Sequence, residues 1–128
     1  MLVSWVQQAC FEPPMVSVAV AKGRPIMALI SGSGRFGLCQ LGDADKITLR
    51  RFVRGVEPPE DPFLGFELVR ETVTGVPILR QSLSYLECKA ACHVDVEGDH
   101  DIFVGLIVAG GFFEGEPQIH LRENGFRY

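Results

Sequence analysis

The stretch LSYLECKAACHVDVEGDHDIFVGLIVAGGF, residues 83–112, decides how this chain folds. Two long runs rich in apolar residues flank Glu97-Gly98-Asp99-His100, and a Gly-containing polar turn between such runs predicts an antiparallel hairpin. Its arms are a long strand over Leu83 to Val96, with room for a bulge, and a second over Asp101 to Phe112. Upstream, Met15 to Ala21 alternates strictly, with Val16, Val18 and Val20 on one face and Met15, Ser17 and Ala19 on the other. Leu2 to Gln7 and Arg35 to Leu41 read as further strands, and Phe66 to Glu71 and Gln118 to Leu121 as short ones. Pro25 suits the first turn of a helix running to about Ile30, with Ile26, Leu29 and Ile30 inward. Asp43 is placed to cap a second helix that ends at Arg54, before Gly55. Pro58, Pro59, Pro62 and Gly65 make residues 56–65 a loop. Strands that outnumber short helices, without the alternation of a parallel sheet, predict a mainly β fold closed or half-closed into a barrel.

Composition bounds the rest. The 128 residues allow one domain, 1–128, with a conventional core. A hydrophobic fraction of 47% is high for a domain of this size and implies that a ligand or second subunit covers apolar surface, most simply in a homodimer. A net charge of −4 without a basic stripe excludes a nucleic-acid partner, and Arg50, Arg51 and Arg54 read as a solvated helix face. No apolar run is long enough to span a bilayer, and Met1-Leu2-Val3-Ser4-Trp5 lacks the pattern of a signal peptide, so no membrane and a cytoplasmic location are expected. Cys10, Cys39, Cys88 and Cys92 are then expected as free thiols packed as small hydrophobes.

Several motifs invite chemistry. Gly32-Ser33-Gly34-Arg35-Phe36-Gly37 matches GxGxxG, but a dinucleotide site needs strand, glycines, then helix, and here the order reads helix then strand. A helix stop is the better reading. Cys88-x3-Cys92-His93 lacks a second ligand pair, and on a regular strand His93 would face away from the two cysteines, so no metal is expected. Lys22-Gly23-Arg24 stands at a helix entry, where cations and free N–H groups suit a phosphate; two solvated turn charges suit the local pattern equally. His100 alone reads as a polar turn residue.

Order and spacing change that balance. Ser4-Trp5-Val6-Gln7-Gln8-Ala9-Cys10-Phe11-Glu12-Pro13-Pro14, a valine strand, Lys22-Gly23-Arg24, a helix, Gly34-Arg35-Phe36-Gly37, Gly75-Val76-Pro77-Ile78-Leu79, Leu86-Glu87-Cys88 and Gly98-Asp99-His100-x-Ile102-Phe103-Val104-Gly105 follow one another along the chain. Together they resemble the flavin reductase-like FMN-binding split-barrel family, with Leu-Glu-Cys and Gly-Asp-His-x-x-Phe-x-Gly as the most specific parts. The resemblance implies a homodimeric split β-barrel that binds FMN, or sometimes FAD, and takes hydride from NADH or NADPH for an oxygenase or other redox partner. It implies that Ser4, Trp5, Val6, Gln7, Gln8 and Cys10 border the flavin ring, that Lys22 and Arg24 hold the phosphate, and that His100 lies close to nicotinamide and flavin as a positioning residue. Against the family pattern, which has a helix and a strand ahead of the Ser4–Cys10 segment, the chain is expected to be either a short natural variant or an N-terminally truncated domain, Asp101 stands where a small polar residue is usual, and Trp5 with Gln7-Gln8 where smaller side chains are. Three functions follow as expectations: a flavin reductase, a flavin-binding electron-transfer module without its own NAD(P)H activity, or a degenerate dimeric split barrel without flavin.

Overall fold

A computed structural model describes residues 1–55 and 59–117. Its strands are β1 (Val6–Cys10), β2 (Met15–Ala21), β3 (Arg35–Gln40), β4 (Ser84–Val94) and β5 (His100–Phe112), with helices α1 (Pro25–Ser33) and α2 (Lys46–Arg54). The strands form one antiparallel sheet in the order β1-β2-β5-β4-β3. The expected hairpin of residues 83–112 is its centre, and β4 is bulged between Glu87 and Cys88 and again between Ala90 and Cys92.

The core follows from the alternation along β2. Val16, Val18 and Val20 are buried, and they pack with Ile30, Phe36, Cys88 and Phe103. Gly105 makes that packing possible: a Cβ there would lie 2.5 Å from the Phe36 ring and 2.8 Å from Cys88 Cβ. Phe36 on β3 can therefore lie flat against β5. Glu87, also buried, faces the loop beyond β3. It accepts hydrogen bonds from Thr74 N and Oγ1, both at 2.7 Å, and from Val73 N at 3.2 Å. Burial raises the pKa of this carboxyl, but those donors outweigh it and hold the group below its ordinary range.

Five sequence expectations shift. The first strand lies at Val6–Cys10 instead of Leu2 to Gln7, because the turn at residues 11–14 is tight and pairs Cys10 with Met15 and Val6 with Val18. Helix α1 runs on through Gly32 and Ser33 to Gly34, whose φ of 67° and N–H bond to the Ile30 carbonyl end it. Within α1, Ile30 is buried but Leu29 is exposed. The cap of α2 is Asp45, not Asp43. Asp45 accepts from Thr48 N, whereas the Asp43 N–H is already committed to the Glu116 carbonyl and its carboxylate to Lys46. Residues 66–71 form no strand and contribute only the bridge Leu68–Leu79. The strand expected over Gln118 to Leu121 lies outside the described residues.

The second β4 bulge also reverses the expected faces around Cys92. His93 pairs with Phe103 and its ring lies parallel to it at 4.3 Å, on the core side with Cys88, while Cys92 is exposed. Burial pushes the Cys88 thiol up to about 11, and all four cysteines are free. No helix among the described residues is long and apolar enough to cross a membrane.

Candidate functional site

The end of the sheet where β2 stops and β5 starts gathers most of the expected site residues. Lys22 N donates to the Asp99 carbonyl at 2.8 Å, and Ala21 pairs with His100, so the turn before β5 is fastened to the end of β2. On the other side of β2, Ala19 N donates to the Trp5 carbonyl at 3.0 Å. These ties bring Trp5 onto His100, with ring centroids 4.8 Å apart and planes tilted by 47°.

Two adjoining cavities open around this contact, sharing Ser4, Trp5 and Ala19. The smaller, about 410 Å³, is lined also by Val6, Gln7, Ser17 and Ile102. The larger, about 470 Å³, runs from His100 past Arg24, Pro25 and Ile26 at the start of α1 to Phe52, Arg54 and Phe63. Both volumes fall in the ~300–1,000 Å³ range of small-molecule sites. Helix α2 reaches the cavity because Leu49 is buried and Phe52 packs on Phe63 and Phe66 at 5.9 and 6.0 Å. Its last residue, Arg54, is thereby placed across the cavity from Arg24, the N-cap residue of α1. Neither arginine has a carboxylate partner among the described residues. Two guanidinium groups beside a helix N-terminus form a pole suited to an anionic group.

His100 is half-buried and Asp99 fully open to solvent. Asp99 Oδ1 lies 2.8 Å from His100 Nδ1, and that contact holds the Asp99 carboxyl below its ordinary pKa. Among the described residues His100 Nε2 has no partner.

The structure therefore brings together Ser4, Trp5, Val6, Gln7, Arg24 and His100. It does not bring in the remaining three. Gln8 and Cys10 lie further along β1, paired with Val16 and Met15. Lys22 is engaged elsewhere: its Nζ lies 2.8 Å from Asp95 Oδ1, 3.3 Å from Asp101 Oδ1 and 2.5 Å from the Val96 carbonyl. Its hydrogen bond to Asp95, with support from Asp101, raises its pKa and ties it to the β4–β5 turn. Conversely, Arg54, read from the sequence as part of a solvated face, lines the larger cavity, and Asp99, read as turn, meets His100. The spacing of Arg50, Arg51 and Arg54 around a short helix was the available signal, since residues on one helix point in different directions.

The family model described as flavin reductase like domain matches residues 1–126. The chain is 37% identical over 131 aligned residues to diflavin flavoprotein A 1 of Synechocystis sp., covering all of this chain and 22% of that protein. It thus spans about a fifth of the length of the curated relatives it matches. Among solved structures, the NADH:FAD oxidoreductase SgcE6 of Streptomyces globisporus C-1027 superposes with a TM-score of 0.80 at 22% identity, covering 87% of this chain and 66% of that one. The styrene monooxygenase flavin reductase of Pseudomonas putida S12 superposes with a TM-score of 0.72 at 28% identity, covering 90% and 70%.

Proposed function

We propose, for a chain that belongs to the flavin reductase-like domain family, that it binds FMN at the Trp5–His100 cavities and takes hydride from NADH or NADPH on behalf of a further acceptor. The observation that carries the reading is the joining of two features in one continuous site. An apolar and aromatic mouth at Trp5 and His100 leads into a cationic pole at Arg24, Arg54 and the start of α1. A flavin mononucleotide has this polarity, a flat ring at one end and a phosphate at the other. When bound, the flavin supplies the redox chemistry.

The chain's own groups then have separable tasks. Arg24 and Arg54, at the start of α1 and the end of α2, hold the phosphate; this assigns to Arg54 the part expected of Lys22. Ser4, Trp5, Val6 and Gln7 border the ring, and Trp5 with Phe52 and Phe63 keeps water from it. His100 is a positioning residue, since hydride transfer needs two rings held in contact and no protein nucleophile. FAD fits the same pole less simply, because its second phosphate asks for further cations. The exposed apolar side chains Phe11 and Phe112, 85% and 92% accessible, support a homodimer that covers them.

A second reading rests on the comparison in length. The matching region is about a fifth of proteins named diflavin flavoproteins, which favours a flavin-holding module whose electrons pass within a larger redox protein. NAD(P)H oxidation by the chain with added FMN separates the two. For the site itself, Arg24→Ala with Arg54→Ala weakens FMN by ~10-fold or more and riboflavin little, as isothermal calorimetry measures, because only FMN carries the phosphate. Lys22→Ala leaves the FMN-to-riboflavin ratio unchanged. Equal losses for both ligands in the double variant overturn the phosphate assignment.

A further inference from the structure

We propose that Asp99 is a positioning residue that holds His100 as the Nδ1–H tautomer, so that Nε2 meets the cavity as a hydrogen-bond acceptor for an amide N–H. The nicotinamide part of this inference rests on the function proposed above. The tautomer part does not.

The argument starts from the inventory of a neutral imidazole, in which one nitrogen carries the proton and the other a lone pair. A carboxylate accepts and cannot donate, so the nitrogen facing it carries the proton. Asp99 Oδ1 stands 2.8 Å from Nδ1, and Nε2 is without a partner among the described residues. The proton therefore sits on Nδ1 and the lone pair on Nε2. Asp99 is 93% exposed, so its charge is well screened and its part is local geometry. That geometry is fixed from the backbone, because the Asp99 carbonyl takes the Lys22 N–H at 2.8 Å and His100 pairs with Ala21. Trp5 then limits the ring from one face at 4.8 Å. The imidazole thus has one nitrogen occupied, one face covered and one acceptor left, beside the larger cavity.

An acceptor at that point selects for a donor. The carboxamide of a nicotinamide ring carries an NH2 group that can donate to it, whereas a methyl ketone at the same position cannot. His100 in this tautomer discriminates between the two and orients the ring that gives hydride. A histidine with its proton on Nε2 would do neither, since it would meet the NH2 group with a second donor.

The tautomer is read first, in the full chain without ligand. Nitrogen-15 spectra above the histidine titration range show His100, assigned by its loss in His100→Gln, as Nδ1–H. Asp99→Asn retains this state, because its amide oxygen still accepts, and Asp99→Ala shifts the ring toward Nε2–H. A wild-type ring protonated on Nε2, or an Asp99→Ala ring unchanged from wild type, overturns the proposal. Selectivity is read second, with FMN present, as kcat/KM for NADH over its reduced 3-acetylpyridine analogue. Wild type and Asp99→Asn share a preference for NADH that falls about three- to tenfold in Asp99→Ala, the worth of one hydrogen bond. An undiminished preference in Asp99→Ala overturns the acceptor role. Absence of NADH oxidation in wild type, with Nδ1–H intact, overturns the functional reading and its nicotinamide clause while upholding the tautomer.

Discussion

Two histidine–aspartate pairs stand near the turn of one hairpin, with almost equal separations and different surroundings. His93 Nε2 lies 2.9 Å from Asp101 Oδ2, and His100 Nδ1 lies 2.8 Å from Asp99 Oδ1. Asp101 is buried and its oxygens are shared among His93, Lys22 and the Val96 N–H. The His93 ring, itself 40% exposed, is stacked on the buried Phe103. In contrast, Asp99 lies in solvent, and its histidine lines a cavity. The same two residue types thus serve opposite ends. A pair whose carboxylate is buried and shared among several donors holds structure together, while a pair whose carboxylate lies in solvent and whose ring lines a cavity can recognise something.

Removing what lies beneath the closed pair has the largest expected effect on stability. Phe103→Ala deletes a ring that is 1% exposed and the platform under His93. Urea denaturation should show a loss of about 3–5 kcal/mol, the usual cost of such a cavity. A loss below about 1 kcal/mol would show that His93 and the hairpin do not depend on this packing.

Asp101→Asn comes next, and it has a pH signature. The bond with His93, helped by the Val96 N–H and Lys22, depresses the Asp101 pKa below its ordinary 3.8. A depressed carboxyl supplies stability that is present above the unfolded value and is lost as pH falls through the folded value. Asp101→Asn therefore lowers Tm at neutral pH, by roughly 5 °C for a chain of this size, and flattens the acid limb of the Tm-against-pH curve. Some acid dependence remains, because the Glu87 carboxyl is depressed too. An unaltered acid limb would remove Asp101 from the pH-dependent stability of the fold.

The contrast also explains what could be read from the sequence. The hairpin, β2 and the glycine stop of α1 were legible because period-two alternation and left-handed glycine are local properties. The bulge between Ala90 and Cys92 was not, since an inserted residue leaves no mark in a run of small and apolar side chains. It inverted the faces of Cys92 and His93. Phe103, Gly105, Glu87 and Cys88, in the most specific family signatures, are core and loop-anchoring positions, leaving His100 as the signature residue at the cavity. Lys22 lies off the cavities for a tertiary reason: Asp95 and Asp101, more than seventy positions along, claim the lysine. Spacing within a short motif cannot report such a competitor.

The open pair has the smallest expected effect on stability, and that is what makes it separable from structure. His100→Ala removes a ring whose polar contacts are to one exposed carboxylate, so the fold loses less than ~1 kcal/mol in the same urea experiment. Two other readouts should move. The chain has a single tryptophan, and loss of the imidazole at 4.8 Å from Trp5 changes its fluorescence. NAD(P)H oxidation falls roughly tenfold or more with FMN affinity largely kept, because a ring that orients a reactant contributes to the rate more than to ligand retention. Unfolding as large as that of Phe103→Ala would place His100 with His93 as a structural residue and erase the distinction between the two pairs. Unchanged turnover at unchanged stability would leave the distinction but move recognition to Trp5 and the two arginines.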